Sequence, residues 1–235
     1  MTITILYNNI AYDSRLTTAW GFSALVEIPD HTLLFDTGGD APTLLNNMQI
    51  LDVETAAIES VVLSHAHGDH TGGLEGLLAV GMQPTVHLLP SFPRDVKDSV
   101  RRFTTVAEVE SGQSLATEIF TTGEMGTSIP EQALVLRTSM GLVVITGCAH
   151  PGIVQIVERA QALFGNPIYL VMGGFHLGDH SAAQIEAIVQ SFRRLGVLHV
   201  APSHCTGDQA IEAFRHEYGD DFIEAGAGRV IVIEP

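Results

Sequence analysis

Three histidines and one aspartate fall within six consecutive positions, His65-Ala66-His67-Gly68-Asp69-His70, directly after the apolar run Val61-Val62-Leu63. Imidazole and carboxylate are the donors that zinc and related divalent ions accept well. His65 and His67 alternate along extended chain, so both rings reach one side of it. Asp69 and His70 follow at a turn and reach a second position close by. Two adjacent ions hold a water between them and lower its pKa, which makes a nucleophile for hydrolysis. Four such groups crowded after a buried strand are costly unless paired or metallated. Gly68, Gly72 and Gly73 allow close backbone approach and leave room over the site.

Other donors stand far away in the chain. His150 follows the apolar run Leu142–Ile145 across a short glycine turn and opens a helix. There the helix dipole disfavours a charged imidazolium and keeps a ligand nitrogen free. His204 follows the apolar run Leu198–Ala201 at a strand end. Asp36 suits the role of a carboxylate that orients a metal-bound histidine, although a plain Asp-Thr-Gly turn explains it too. His176, at another strand end, reads as a metal ligand or a substrate contact. Cys205, Thr206 and Gly207 open the last helix. Their N–H groups suit a phosphate or carboxylate, and an ordinary helix cap accounts for them equally. Trp20-Gly21-Phe22-Ser23 reads as an apolar wall at the site or as core. His31, His87, His180, His199 and His216 lack a partner pattern and read as structural or solvent-facing.

The elements that must position these groups alternate short apolar runs with helical stretches. Strands are expected at Thr2–Tyr7, Ser23–Ile28, Thr32–Phe35, Ser60–Leu63 and Pro84–Leu88, with a turn at Pro29-Asp30-His31. Helices are expected at Ala41–Met48 and Thr71–Val80. After Ala133 the pattern restarts. Ala133–Leu136 and Leu142–Ile145 form a second hairpin. Helix Gly152–Phe164, strand Ile168–Met172, helix Ser181–Leu195, strand Leu198–Ala201, helix Asp208–Glu217 and strand Arg229–Ile233 follow. Residues 89–131 are the least regular stretch and read as a substrate-covering insertion in a single domain spanning 1–235. Four basic side chains lie in it: Arg94, Lys97, Arg101 and Arg102.

Of 235 residues, 46% are hydrophobic and 16% charged, which excludes disorder. A net charge of −16 argues against a nucleic-acid or anionic-membrane partner. The two cysteines, Cys148 and Cys205, form no disulfide framework. The N-terminus lacks a basic segment before its apolar residues, and no run is long enough to span a bilayer. A cytoplasmic protein acting on a small molecule is expected.

The segment from His65 to His70 resembles the signature of the metallo-β-lactamase-fold hydrolases, as does Phe35-Asp36-Thr37-Gly38. Three further segments resemble one branch of that family, which includes archaeal dihydropterin ribofuranosyl-aminobenzene phosphate synthases. They are Thr146-Gly147-Cys148-Ala149-His150-Pro151-Gly152-Ile153, Gly173-Gly174-Phe175-His176-Leu177 and Ser203-His204-Cys205-Thr206-Gly207. The resemblance implies an α/β (α+β) fold, a four-layer αββα sandwich with a dinuclear site at one edge of two sheets. It implies that His204 is the last metal-binding histidine. Glu131 stands about where another family histidine falls, as a ligand or supporting group or as a solvated loop acid. Many relatives carry a bridging aspartate in a Thr-Gly-Asp turn. Here Cys148 takes that place, as a thiolate ligand or as a small buried hydrophobe. The second ion is then weaker or differently held.

The resulting expectation is a metal-dependent hydrolase with two divalent ions, zinc before iron or manganese. His65, His67 and His150 hold one ion; Asp69, His70 and His204 hold the second. A metal-bound, bridging hydroxide attacks a small anionic ester, lactone or phosphoester, while Asp69 accepts a proton. His176 and the Cys205–Gly207 turn position an anionic group. The alternatives are a pterin-pathway synthase acting on a phosphoribosyl-type substrate and a non-catalytic metal-binding protein.

Overall fold

A computed structural model describes residues 1–165 and 167–233. The chain divides into two compact units. Among the described residues the first comprises Met1–Glu110 and 226–233; the second is Ser111–Ala225.

In the first unit, strands β1 (Thr2–Tyr7), β2 (Ser23–Ile28) and β3 (His31–Phe35) form an antiparallel meander. The Pro29-Asp30 turn joins β2 to β3. Helix α1 (Ala41–Ile50) carries the chain to β4 (Ser60–Val62), which pairs parallel with β3. Asp40 caps α1 by accepting the Thr43 N–H, with Pro42 in the first turn. The short helices α2 (Gly68–Thr71) and α3 (Leu74–Ala79) lead to β5 (Thr85–Leu88), and α4 (Arg94–Val100) leads to β6 (Val106–Glu108). Both strands join the sheet in parallel. The closing strand, Val230–Val232, pairs antiparallel with β1 at the other edge.

One continuous helix over Thr71–Val80 is not formed. The chain breaks at Gly72-Gly73 because backbone presses on it there. A Cβ at Gly72 would lie 2.1 Å from the Gly39 carbonyl oxygen, and one at Gly73 would lie 2.2 Å from that of Thr37.

The second unit repeats the plan. Strands β7 (Ser114–Ala116), β8 (Ile119–Thr121), β9 (Leu134–Thr138) and β10 (Gly141–Thr146) run antiparallel. Helix α5 (Ile153–Phe164), β11 (Ile168–Gly174), helix α6 (Ala182–Arg194), β12 (His199–Ser203) and helix α7 (Asp208–Tyr218) follow. Strands β10, β11 and β12 are adjacent and parallel. Ser181 and Gln184 close a capping box at the start of α6. The apolar faces of the three helices pack on the sheet around Phe175, Phe192 and Phe214, whose ring centroids lie 5.0–5.7 Å apart.

Residues 89–131 are more regular than expected. They supply α4 and edge strand β6 to the first unit and strands β7 and β8 to the second. Strands of three residues are too short to show a period in the sequence. Lys97 and Arg101 pair with Glu108, and Arg94 and Arg101 pair with Asp98. These cations therefore already serve the first unit itself.

In each unit the candidate residues follow the carboxyl ends of parallel strands, where ligand sites of open α/β sheets lie. Asp36 follows β3 and Ser64–His70 follows β4. Cys148–His150 follows β10, His176 follows β11, and His204–Thr206 follows β12.

Candidate metal centre

In the first unit a buried carboxylate organises the histidine segment. Asp36 is wholly buried, with the left-handed φ of 56° that its turn requires. Its Oδ1 accepts the Ser64 N–H at 2.7 Å. Its Oδ2 accepts the Ser64 hydroxyl at 2.7 Å and lies 2.7 Å from His70 Nδ1. His70 therefore donates from Nδ1, and its Nε2 carries the lone pair. That atom lies 3.6 Å from Asp69 Oδ2. The Ser64 oxygen in turn lies 2.9 Å from His65 Nδ1. Its own hydrogen is given to Asp36, so it accepts from His65 and leaves His65 Nε2 as a donor atom for a metal. His65 Nε2 and His67 Nδ1 are 3.1 Å apart. Two nitrogens on one tetrahedral zinc sit about 3.3 Å apart, given bonds of about 2.0–2.1 Å. The donor pairs His65/His67 and Asp69/His70 thus fit metal ligation.

Ser64 was not singled out by sequence reasoning. A hydroxyl between a buried strand and the first histidine was the available signal. Trp20 is 59% exposed, whereas Phe22 is core, edge-on to Phe35. The Phe22 N–H donates to the Asp69 carbonyl at 3.2 Å and so fixes the backbone of the histidine segment.

In the second unit Glu131 is the corresponding buried carboxylate. It accepts the N–H groups of Cys148, Ala149 and His150 at 2.9, 2.8 and 2.9 Å. It is therefore no solvated loop acid; it shapes the turn that presents Cys148 and His150. Ala149 sits at φ 61° within that turn. The rings of His150 and His176 are 4.4 Å apart. Both line a pocket of about 350 Å³ at the start of α5, together with Pro151, Gln155, Phe175 and His180. His180, read from sequence as structural, is a pocket residue; it lies four positions after His176 in a loop without regular periodicity.

Cys148 is buried and Cys205 half-buried. The Cys205 Sγ donates to the Cys148 carbonyl at 3.7 Å. Its thiol is pulled down to about 5, first by its hydrogen bond with Cys148, against the effect of burial, and then by His176 and His204. His176, which is exposed, is raised above its ordinary value, chiefly by its hydrogen bond with Cys205, with burial opposing. His204 is buried at φ 52°. Thr206 is wholly buried; its hydroxyl accepts the Phe175 N–H at 3.0 Å and donates to the Ser203 carbonyl at 2.6 Å. Its side chain is thus used as a brace within the fold. Gly207 caps α7 at φ 84°.

The remaining histidines behave as expected of structural or surface groups. His31 bonds to Ser60 and Glu59, and His199 faces Asp221. His87 is buried and held below its ordinary pKa, first by desolvation and then by His31. His216 is exposed.

The model of the metallo-beta-lactamase superfamily matches residues 21–184. The chain belongs to that superfamily. It is 28% identical, over 97% of its length and 95% of the relative's, to 7,8-dihydropterin-6-methyl-4-(beta-D-ribofuranosyl)-aminobenzene-5'-phosphate synthase of Methanocaldococcus jannaschii. The crystal structure of Tm1679, described as a metal-dependent hydrolase of the beta-lactamase superfamily, matches with a TM-score of 0.85 and 29% identity, covering both chains fully. YhfI of Bacillus subtilis shares the fold at a TM-score of 0.71 and 14% identity, over 98% of this chain and 99% of that one. The mixed α/β chain with two mixed sheets is therefore of the metallo-beta-lactamase type. Among the described residues no helix is long and apolar enough to cross a membrane.

Proposed function

We propose that this metallo-beta-lactamase superfamily member is a metal-dependent hydrolase of a small anionic ester, lactone or phosphoester. The observation that carries the reading is the Asp36–Ser64–His65 and Asp36–His70 hydrogen-bond array. It fixes the tautomers of two imidazoles with Nε2 left as a donor. In this reading His65, His67, Asp69 and His70 of the first unit and His150 and His204 of the second are metal ligands. Zinc is favoured over iron or manganese by the imidazole-rich set. When bound, the ions supply a water acidified toward neutral pH and a Lewis acid for the oxygen under attack.

The chain's own groups do the rest. The Asp69 carboxylate accepts a proton and keeps the nucleophile in line. The pocket beside His150 receives the anionic end of the substrate. Its His176 imidazole contacts that end, and the backbone N–H groups of Cys205, Thr206 and Gly207 position the anion. The substrate is a small molecule, because the chain's charge of −16 repels polyanions and anionic membranes. A cytoplasmic location suits two free thiols.

A second reading is favoured by the 28% identity to the archaeal synthase across nearly the whole chain. In it the same pocket holds a phosphoribosyl-type donor, and a pterin takes the place of water. A panel of lactones, phosphodiesters, thioesters and β-lactams, run beside a phosphoribosyl donor with a reduced pterin, separates the two. Hydrolysis of anionic esters well above neutral ones supports the first. Turnover only when donor and pterin are both present overturns it for the second.

A further inference from the structure

We infer that Cys148, His176 and Cys205 form a thiolate-rich metal site within the second unit, one that takes a single soft divalent ion such as zinc. The inference stands on its own geometry and does not rest on the proposed hydrolase.

The three residues follow three neighbouring parallel strands, β10, β11 and β12, so sheet order alone brings them to one place. One ligand atom from each lies within 4.8 Å of the other two. Sulfur and nitrogen donors on one tetrahedral zinc lie about 3.5–3.8 Å apart, from bonds of about 2.3 and 2.0–2.1 Å. Small side-chain rotations close that gap.

The strand ends are tied together independently of any ion. The Gly174 N–H donates to the Gly147 carbonyl at 3.1 Å, and the Thr146 hydroxyl donates to the Gly174 carbonyl at 2.8 Å. Thr206 joins the third strand end to Phe175 at 3.0 Å. Space is kept for sulfur. A Cβ on Gly174 would lie 2.7 Å from the Cys205 Sγ and 3.3 Å from the Cys148 Cα. His176 is held at φ 53°, a conformation unfavourable for a non-glycine residue, which aims it from the loop.

Two thiolates and one imidazole select zinc, cadmium or copper(I) over magnesium or calcium. Binding releases the thiol protons to solvent, and the donors enter as thiolates and a neutral imidazole. Three protein donors leave one tetrahedral position for water or a ligand atom.

The test uses cobalt(II) as the probe, titrated into the reduced full-length protein. Thiolate-to-cobalt charge transfer gives an intense near-ultraviolet band, which histidine–carboxylate sites lack. The expected result is a band with the intensity of two thiolates. It is halved in Cys205→Ser and in Cys148→Ser, and its cobalt affinity falls about tenfold or more in His176→Gln, the size of loss that disturbing a metal's ligand environment brings. His176 is exposed, so His176→Gln leaves the core intact. The band survives in His65→Ala. A band that depends on Cys148 but ignores Cys205→Ser and His176→Gln overturns the inference, as does the absence of a band with two thiols still titratable. A Cys148–Cys205 disulfide formed in place of metal binding overturns it too. Loss of turnover in His65→Ala with the band intact bears on the hydrolase reading, and not on this site.

Discussion

Each unit arranges its candidate residues around one fully buried carboxylate, and the two carboxylates work differently. Asp36 reaches side chains: the Ser64 hydroxyl and the His70 imidazole, along with one backbone N–H. Glu131 reaches the N–H groups of three consecutive residues. A carboxylate on an imidazole N–H sets the tautomer and raises the basicity of the other nitrogen. A carboxylate on three successive amides fixes the path of the backbone, here through Ala149 at φ 61°. Asp36 therefore orients an imidazole and a hydroxyl, and Glu131 shapes a turn. Substitution should separate the two roles.

The largest effect is expected for Glu131→Ala. It leaves three N–H groups buried without their acceptor, at about 1–3 kcal/mol each. Urea unfolding should show a loss on the order of 3–5 kcal/mol, and Glu131→Gln, which keeps one acceptor oxygen, should recover much of it. A loss below about 1 kcal/mol would mean that the turn holds its shape without the carboxylate. Asp36→Asn should behave in the opposite sense. It keeps one acceptor oxygen but turns an NH2 toward a donor, at about 1–3 kcal/mol, while metal affinity measured by chelator competition should fall about 10–100-fold. If Asp36→Asn instead unfolds the chain with unchanged affinity, the distinction between the two carboxylates fails.

The smallest effect sharpens the contrast from a histidine that has no such carboxylate. His87 is buried in β5, and its Nδ1 has no hydrogen-bond partner among the described residues. Burial holds its folded pKa below the unfolded value of 6.5. As pH falls through 6.5 the unfolded chain gains a proton that the folded chain refuses. Stability is therefore lost between 6.5 and the folded pKa, by at most about 1.4 kcal/mol per pH unit. Unfolding midpoints of His87→Gln should fall less steeply than wild type over that window. Parallel pH profiles would show that His87 accepts its proton in the fold.

The same contrast explains what could be read from the chain beforehand. His65, His67, Asp69 and His70 are contiguous, so their chemistry is visible as spacing. Asp36 was legible as an orienting group because it ends an apolar strand. Ser64 was not, since its role depends on β3 and β4 lying side by side. Glu131 drew attention by position, yet its three amide partners lie 17–19 residues away and meet it only in the fold. Cys148 and Cys205 are 57 residues apart. Their approach follows from the order β10, β11, β12, which no local pattern encodes. The first meander, the β9–β10 hairpin and most helices followed from periodicity, whereas the three-residue strands β7 and β8 did not. The break at Gly72-Gly73 did not, because it answers to the carbonyls of Gly39 and Thr37.

The most direct test is metal content against turnover in protein purified without added metal. The account predicts divalent ions bound by the histidine and aspartate donors together with hydrolysis of a small anionic ester, and the loss of those ions and of turnover in His65→Ala and in His204→Ala. Full turnover by metal-free protein, or by either variant, would contradict it.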